Sequence, residues 1–204
     1  QTRLKAQQIM DYVATYPNTY LRFYASPMVL NIDSDAAYLV APKSRSRIAG
    51  YFHMSSLPTK THHPKVNGAI LVECKTLRHV VSSAAEAETG GIFHNAQKAI
   101  PIRTILHALN HPQPPTPLAT DNTTANGFIH DNIHQRRSKS WDMRYYWLRD
   151  RNSQKQFHFY WKPGSTLDSD YFTKHHPAIY HRQKRATYVK DSIHHIYNNY
   201  SHPM

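Results

Sequence analysis

From Met28 to Tyr38 the side-chain period is two, and two further strand-like runs follow; from Ser82 to about Leu109 the pattern is helical. This one switch limits the fold more than any other feature. In MVLNIDSDAAY (Met28 to Tyr38), Met28, Leu30 and Ile32 lie on one face of an extended chain, and Asn31, Asp33 and Asp35 on the other. RIAGYFHM and NGAILVECKTL read as the next two strands, joined by the polar connection SSLPTKTHHPKVNG. The helix that follows takes Ser82 or Ser83 as its cap and breaks before NHPQPPTP. TPLATDN then reads as a strand, TTANGFIHDNI as a helix and RRSKSWDMRYYWLRDR as a basic helix. FHFYWKP is a further strand, and LDSDYFTK a last short helix. Three meandering strands followed by βαβ units predict an α/β fold. Its sheet is mixed and five-stranded, with the first three strands antiparallel and helices on its faces.

The flanks carry weaker signals. LKAQQIMDYVAT (residues 4–15) places Leu4, Ile9, Met10 and Val13 at the spacing of a short amphipathic helix ending before Pro17. After Ala178 the chain is rich in His, Lys, Arg and Tyr, with little apolar periodicity, and reads as a loosely held basic tail. The expected division is therefore 1–26 as a connector helix, 27–178 as the domain and 179–204 as a flexible tail. The first residue is Gln1, which reads as a piece of a longer polypeptide. Lys and Arg number 25 against 13 acids, a formal charge of +12. That balance suits a polyanionic partner, nucleic acid ahead of an acidic membrane surface. No run of about 18 apolar residues is present, so no transmembrane helix is expected. The lone Cys74 excludes an internal disulfide framework and a Cys-rich zinc site; it is expected to pack in its strand.

In so basic a chain the acids need a reason. Glu86 and Glu88 are two apart on a helix, so they point about 200° apart. Ala84, Ala85, Ile92 and Ala99 share the stripe of Glu88, which puts Glu88 on the buried face and turns Glu86 away. A buried carboxylate is expensive unless a cation or a donor meets it. Asp35 ends the first strand, Asp121 ends the fourth in ATDN, and Asp168 or Asp170 sits in the last helix. If the first and fourth strands are neighbours, these groups converge with Glu88 at the strand ends, where open α/β sheets gather their chemistry. Carboxylates crowded in one cleft repel unless divalent cations bind between them, and hard oxygen ligands select Mg²⁺ or Mn²⁺. Two such ions about 4 Å apart suit hydrolysis of a phosphodiester.

NIDSDAAYLVAPKSRSRIAGYF, VSSAAEAE, TDNTTANGFIHDNI, RRSKSWDMRYYWLRDR and DYFTKHHP closely resemble the ribonuclease H region of copia-type LTR retrotransposon polyproteins. The resemblance runs from about residue 4 to residue 178, with the motifs in the family's order. It implies a ribonuclease H-like fold and metal-dependent cleavage of the RNA strand of RNA–DNA hybrids, with two Mg²⁺ held by Asp35, Glu88, Asp121 and Asp170. Asp33 shares the strand face of Asp35 and is the fallback for the first position. Ser169 stands where the family usually carries Ala, and KPGST lacks the histidine that many cellular ribonucleases H carry near this point. The resemblance further implies an upstream reverse transcriptase, to which the leading helix would connect, and an intracellular setting in a cytoplasmic virus-like particle. The rival readings are a catalytically inactive nucleic-acid-binding remnant and an integrase core; the order of the acids disfavours the latter.

On the basic helix, Arg136, Arg137, Lys139 and Arg144 are the expected backbone-phosphate contacts, with Arg149 and Arg151 beside them. Met143, Trp147 and Leu148 fall at helical spacing and are expected in the core. The pairs His62–His63, His175–His176 and His194–His195 diverge on regular structure and carry no metal motif. His130 and His134, four apart, are expected on a solvated face.

Overall fold

A computed structural model describes residues 2–59, 61–130 and 139–191, apart from the side chains of 139–142. Close packing divides the chain into two units, Tyr24–His176 and a smaller one made from the segments before and after it.

The larger unit is the expected sheet. Strands β2 (Val29–Ala41), β3 (Arg45–Ser55) and β4 (Ala69–Thr76) pair antiparallel, and β5 (Thr116–Thr120) and β6 (Phe157–Trp161) add in parallel, in the order β4-β3-β2-β5-β6. Helices α2 (Ala84–Ala108), α3 (Thr123–Ile129) and α4 (Lys139–Ser153) close one face. There Leu30, Ile32, Phe52, Leu118, Phe157 and Phe159 from the strands meet Ile92, Ala96 and Ala99 of α2 and Leu148 of α4. The helix lies unusually near the sheet at Gly50, where a Cβ would stand 2.3 Å from Oδ1 of Asn95. Asn95 uses that proximity to donate to Ser34 Oγ and to the carbonyl of Ala49, both at 2.9 Å. This is the ribonuclease H-like fold.

The alternation in β2 is real, but both faces are buried. Asn31, Asp33 and Asp35 are 2–3% exposed. The short helix α5 (Asp170–Thr173) and the segment leading to it cover Asp33 and Asp35, and Asn31 donates to the carbonyls of Val29 and Ser56. Two packing expectations need correction. Met143 is exposed, since only Leu148 and part of Trp147, against Phe93, reach the core. Cys74 is also exposed, because β4 is an edge strand; its thiol donates to the carbonyl of Phe172 at 3.1 Å.

In the smaller unit, α1 (Thr2–Thr15) forms as expected, yet Leu4, Ile9, Met10 and Val13 are 54–65% exposed. The chain after Ala178 is not irregular in its described part. It forms α6 (Ala178–Tyr188) and β7 (Lys190–Asp191), which pairs antiparallel with β1 (Thr19–Tyr20). The anchor is polar, which is why apolar periodicity missed it. Arg185 is 8% exposed, lies 3.9 Å over the Tyr16 ring, and donates to Tyr12, Thr19 and Asp191. No described helix is long and apolar enough to cross a membrane.

Candidate metal centre

Parallel pairing builds the site. Ile32 and Asp33 lie opposite Leu118 and Ala119, so the same register carries Asp35 level with Asp121, just past the end of β5. The third carboxylate comes from α2, just past its first turn. Ser83 caps that helix by accepting from the N–H of Glu86, and Glu86 reaches back to accept from the N–H of Ser82 at 2.6 Å. Glu86 is thus buried as a capping group. Glu88, two residues on, faces the sheet at 5% exposure and accepts from the N–H of Ala36 at 3.1 Å. The stripe expected around Glu88 holds at Ile92 and Ala99, whereas Ala84 is exposed because it precedes the turn that docks.

One oxygen each from Asp35, Glu88 and Asp121 lies within 4.8 Å of the others. Burial, then the neighbouring charges of Asp170 and Asp121, pushes the Asp35 carboxyl up to about 6; the hydroxyl of Thr173 opposes this, donating to its Oδ2 at 2.6 Å. Glu88 is raised well above the usual carboxylate range by burial and then by Asp35 and Asp121. Asp121 is raised by burial and by Asp170. Oε2 of Glu88 is buried with no hydrogen-bond partner. Three mutually repelling carboxylates, one with an idle oxygen, are a donor set that fits a hard divalent cation.

Asp170 stands apart from this triad. Its carboxylate accepts from Lys174 one helical turn on, while its charge still reaches Asp35 and Asp121. That bond, with the nearby Asp35 and Asp121, holds the Lys174 ammonium above its ordinary range. Asp33 is not in the cluster, because its Oδ2 accepts from Lys162 at 2.7 Å and from the N–H of Asp168 at 3.0 Å. The loop after β6 presses on Asp121: a Cβ at Gly164 would stand 2.6 Å from its Oδ2. Trp161 donates to the Asp121 carbonyl at 2.9 Å. Lys162, Thr173 and Lys174 carried no sequence signal as site neighbours, since nothing in spacing tells a buried lysine from a surface one.

Of the expected phosphate contacts, Arg144 meets His79 at 2.7 Å and lies over the Phe93 ring. Lys139 opens α4. Arg136 and Arg137 lie outside the described residues, as do His134, His194 and His195. His130 is exposed and bonds the carbonyl of Asn126.

Fold and site together define an α/β domain with a ribonuclease H-like fold and an acidic triad of which Asp35 and Glu88 are buried and Asp121 is half-buried. Among solved structures, the chain is similar to the N-terminal ribonuclease H domain of Rv2228c from Mycobacterium tuberculosis, solved as a fusion with maltose-binding protein. That match has 10% identity and a TM-score of 0.50, over 72% of this chain and 91% of the other. It is likewise similar to LC11 ribonuclease H1, isolated from compost by a metagenomic approach. There the identity is 7% and the TM-score 0.51, over 71% and 91% of the two chains. No protein-family model matches the sequence, and no curated protein matches it significantly.

Proposed function

We propose that this chain is a metal-dependent endoribonuclease that cleaves the RNA strand of RNA–DNA hybrids during reverse transcription of a copia-type retrotransposon. The convergence of Asp35, Glu88 and Asp121 within 4.8 Å, where the central strand of a ribonuclease H-like sheet meets the end of β5 and helix α2, carries this reading. The sequence motifs that resemble the copia-type region include each of these acids and Asp170. In this reading the chain is one part of a polyprotein, works behind an upstream reverse transcriptase to which α1 connects, and acts in a cytoplasmic virus-like particle.

Asp35, Glu88 and Asp121 would hold divalent ions, Mg²⁺ or Mn²⁺, with Asp170 completing the site for a second one. Bound there, such ions supply Lewis acidity toward the phosphodiester and acidify water. The chain's own groups do the rest. Thr173 fixes Oδ2 of Asp35, and the backbone N–H of Ala36 orients Glu88. Arg136, Arg137, Lys139 and Arg144 would hold backbone phosphates of the hybrid, a contact that positions without reading sequence. Discrimination for RNA would rest on contacts to 2′-hydroxyls in the minor groove.

The test is incubation of a labelled RNA–DNA hybrid with Mg²⁺ and either the parent or Asp121→Asn. RNA-strand cuts by the parent alone are expected. Equal cutting by both rejects the metal assignment. Hybrid binding without cutting by either favours an inactive binding domain.

A further inference from the structure

Lys162 is 4% exposed, deeper than any other described lysine. Its Nζ lies 2.7 Å from Oδ2 of Asp33 and 3.7 Å from Oδ2 of Asp168. The same Asp33 oxygen accepts from the backbone N–H of Asp168 at 3.0 Å. A buried pair of this kind is rarely more stabilising than apolar residues of the same volume. Its placement suggests what it does instead. Asp33 is two residues from Asp35 on β2, so the two share one strand face. Asp168 is two residues from Asp170. The backbone N–H of Lys162 donates to the carbonyl of Thr120, the residue before Asp121, at 2.9 Å. The clamp therefore touches the neighbour of each site acid that comes from the sheet or from the closing segment.

We propose that Lys162 is a positioning residue for the metal centre: by joining Asp33 to Asp168 it sets the 164–174 segment that delivers Asp170 and Thr173. Between Gly164 and Asp170 the described backbone bonds stay mostly within the segment itself, Leu167 to Gly164 and Asp170 to Leu167 among them. The tie of Asp168 to Asp33 is what fastens that stretch to β2. The clamp also occupies Asp33, an acid on the same strand face as Asp35, and so keeps it from competing as a ligand. Supporting groups of this sort commonly change metal affinity by about 10- to 100-fold when removed.

This inference rests on the reading of the triad as a metal centre, and the experiment separates the two. Lys162→Met is compared with the parent by Mn²⁺ titration, followed by electron paramagnetic resonance, and by amide hydrogen exchange. About tenfold weaker Mn²⁺ binding is expected, with faster exchange confined to residues 166–174 and strands β2 and β5 unchanged. Parent-like Mn²⁺ affinity, or exchange that rises evenly through the sheet, overturns the proposal. Asp33→Asn with Lys162→Met leaves no charge on Asp33 without its 2.7 Å partner and guards against a misfolded single variant. It should remain weak for Mn²⁺, and full recovery of affinity would also overturn the clamp. If the parent binds no Mn²⁺, the metal reading fails, while local exchange at Asp168 still decides whether Lys162 fastens the segment.

Discussion

Thr173 donates its hydroxyl to Oδ2 of Asp35 at 2.6 Å, across 138 residues of sequence. The bond joins a four-residue helix to the central strand and favours the ionised form of a carboxyl that burial otherwise pushes up to about 6. Thr173→Val keeps the shape and removes the donor. The Asp35 carboxyl should then titrate higher in a carboxyl-carbon NMR titration. Mn²⁺ affinity at pH 7 should fall by roughly tenfold, the scale of one hydrogen bond to a charged group.

Glu88 crowds Asp35 and Asp121 and has an oxygen with no partner. Glu88→Gln removes a buried like charge. In EDTA at pH 7.5 the melting temperature should rise by a few degrees, on a scale of about 2–4 °C per kcal/mol for a domain of this size. Mn²⁺ binding and hybrid cleavage should both fall, by more than about a hundredfold. A variant that melts lower and still binds metal would contradict the clustered arrangement.

The pH dependence has a definite sign. Asp35 is raised from 3.8 to about 6, and Glu88 and Asp121 also move upward. An acid raised by folding stabilises the fold at low pH and ceases to do so as pH climbs through its folded value. In EDTA, stability should therefore drop between about pH 4 and pH 6, by of order 3 kcal/mol for Asp35 at 1.36 kcal/mol per unit. Mn²⁺ binds the ionised triad, so its effect on melting temperature should be small at pH 5 and larger at pH 7.5. Thermal melts at both pH values, with and without Mn²⁺, check this.

Gly164 leaves room for the Asp121 carboxylate, and an added Cβ would stand 2.6 Å from its Oδ2. That atom ends a flexible side chain, so Gly164→Ala should turn the carboxylate without unfolding the loop. Circular dichroism should be unchanged, with Mn²⁺ affinity and hybrid cleavage reduced together by about tenfold or more.

The strands and long helices were legible because burial imposes a period on the sequence, and the period is local. Leu30 and Ile32 announced the helix-covered face of β2, and the stripe through Ile92 and Ala99 singled out Glu88 over Glu86. Motif resemblance chose Asp170 over Asp168. The described part of the segment after Ala178, as far as Asp191, departs from the expected loose tail for the opposite reason. Its anchor is Arg185, held by Tyr16, Thr19 and Asp191, and a polar anchor leaves no apolar rhythm.

What the sequence determined by itself was each element's type and that Asp121 closes its strand, since both follow from neighbours a few residues away. Asp35, expected at the end of the first strand, instead lies midway along β2, because pairing with β3 carries that strand on to Ala41. Only the tertiary structure decided how those acids are used. Asp33 and Asp35 have the same residue type and share a strand face, yet one is neutralised by Lys162 and the other faces Glu88 and Asp121. The difference lies in groups far away along the chain, Lys162 most of all, and electrostatic partners at such separations are chosen by packing rather than by spacing.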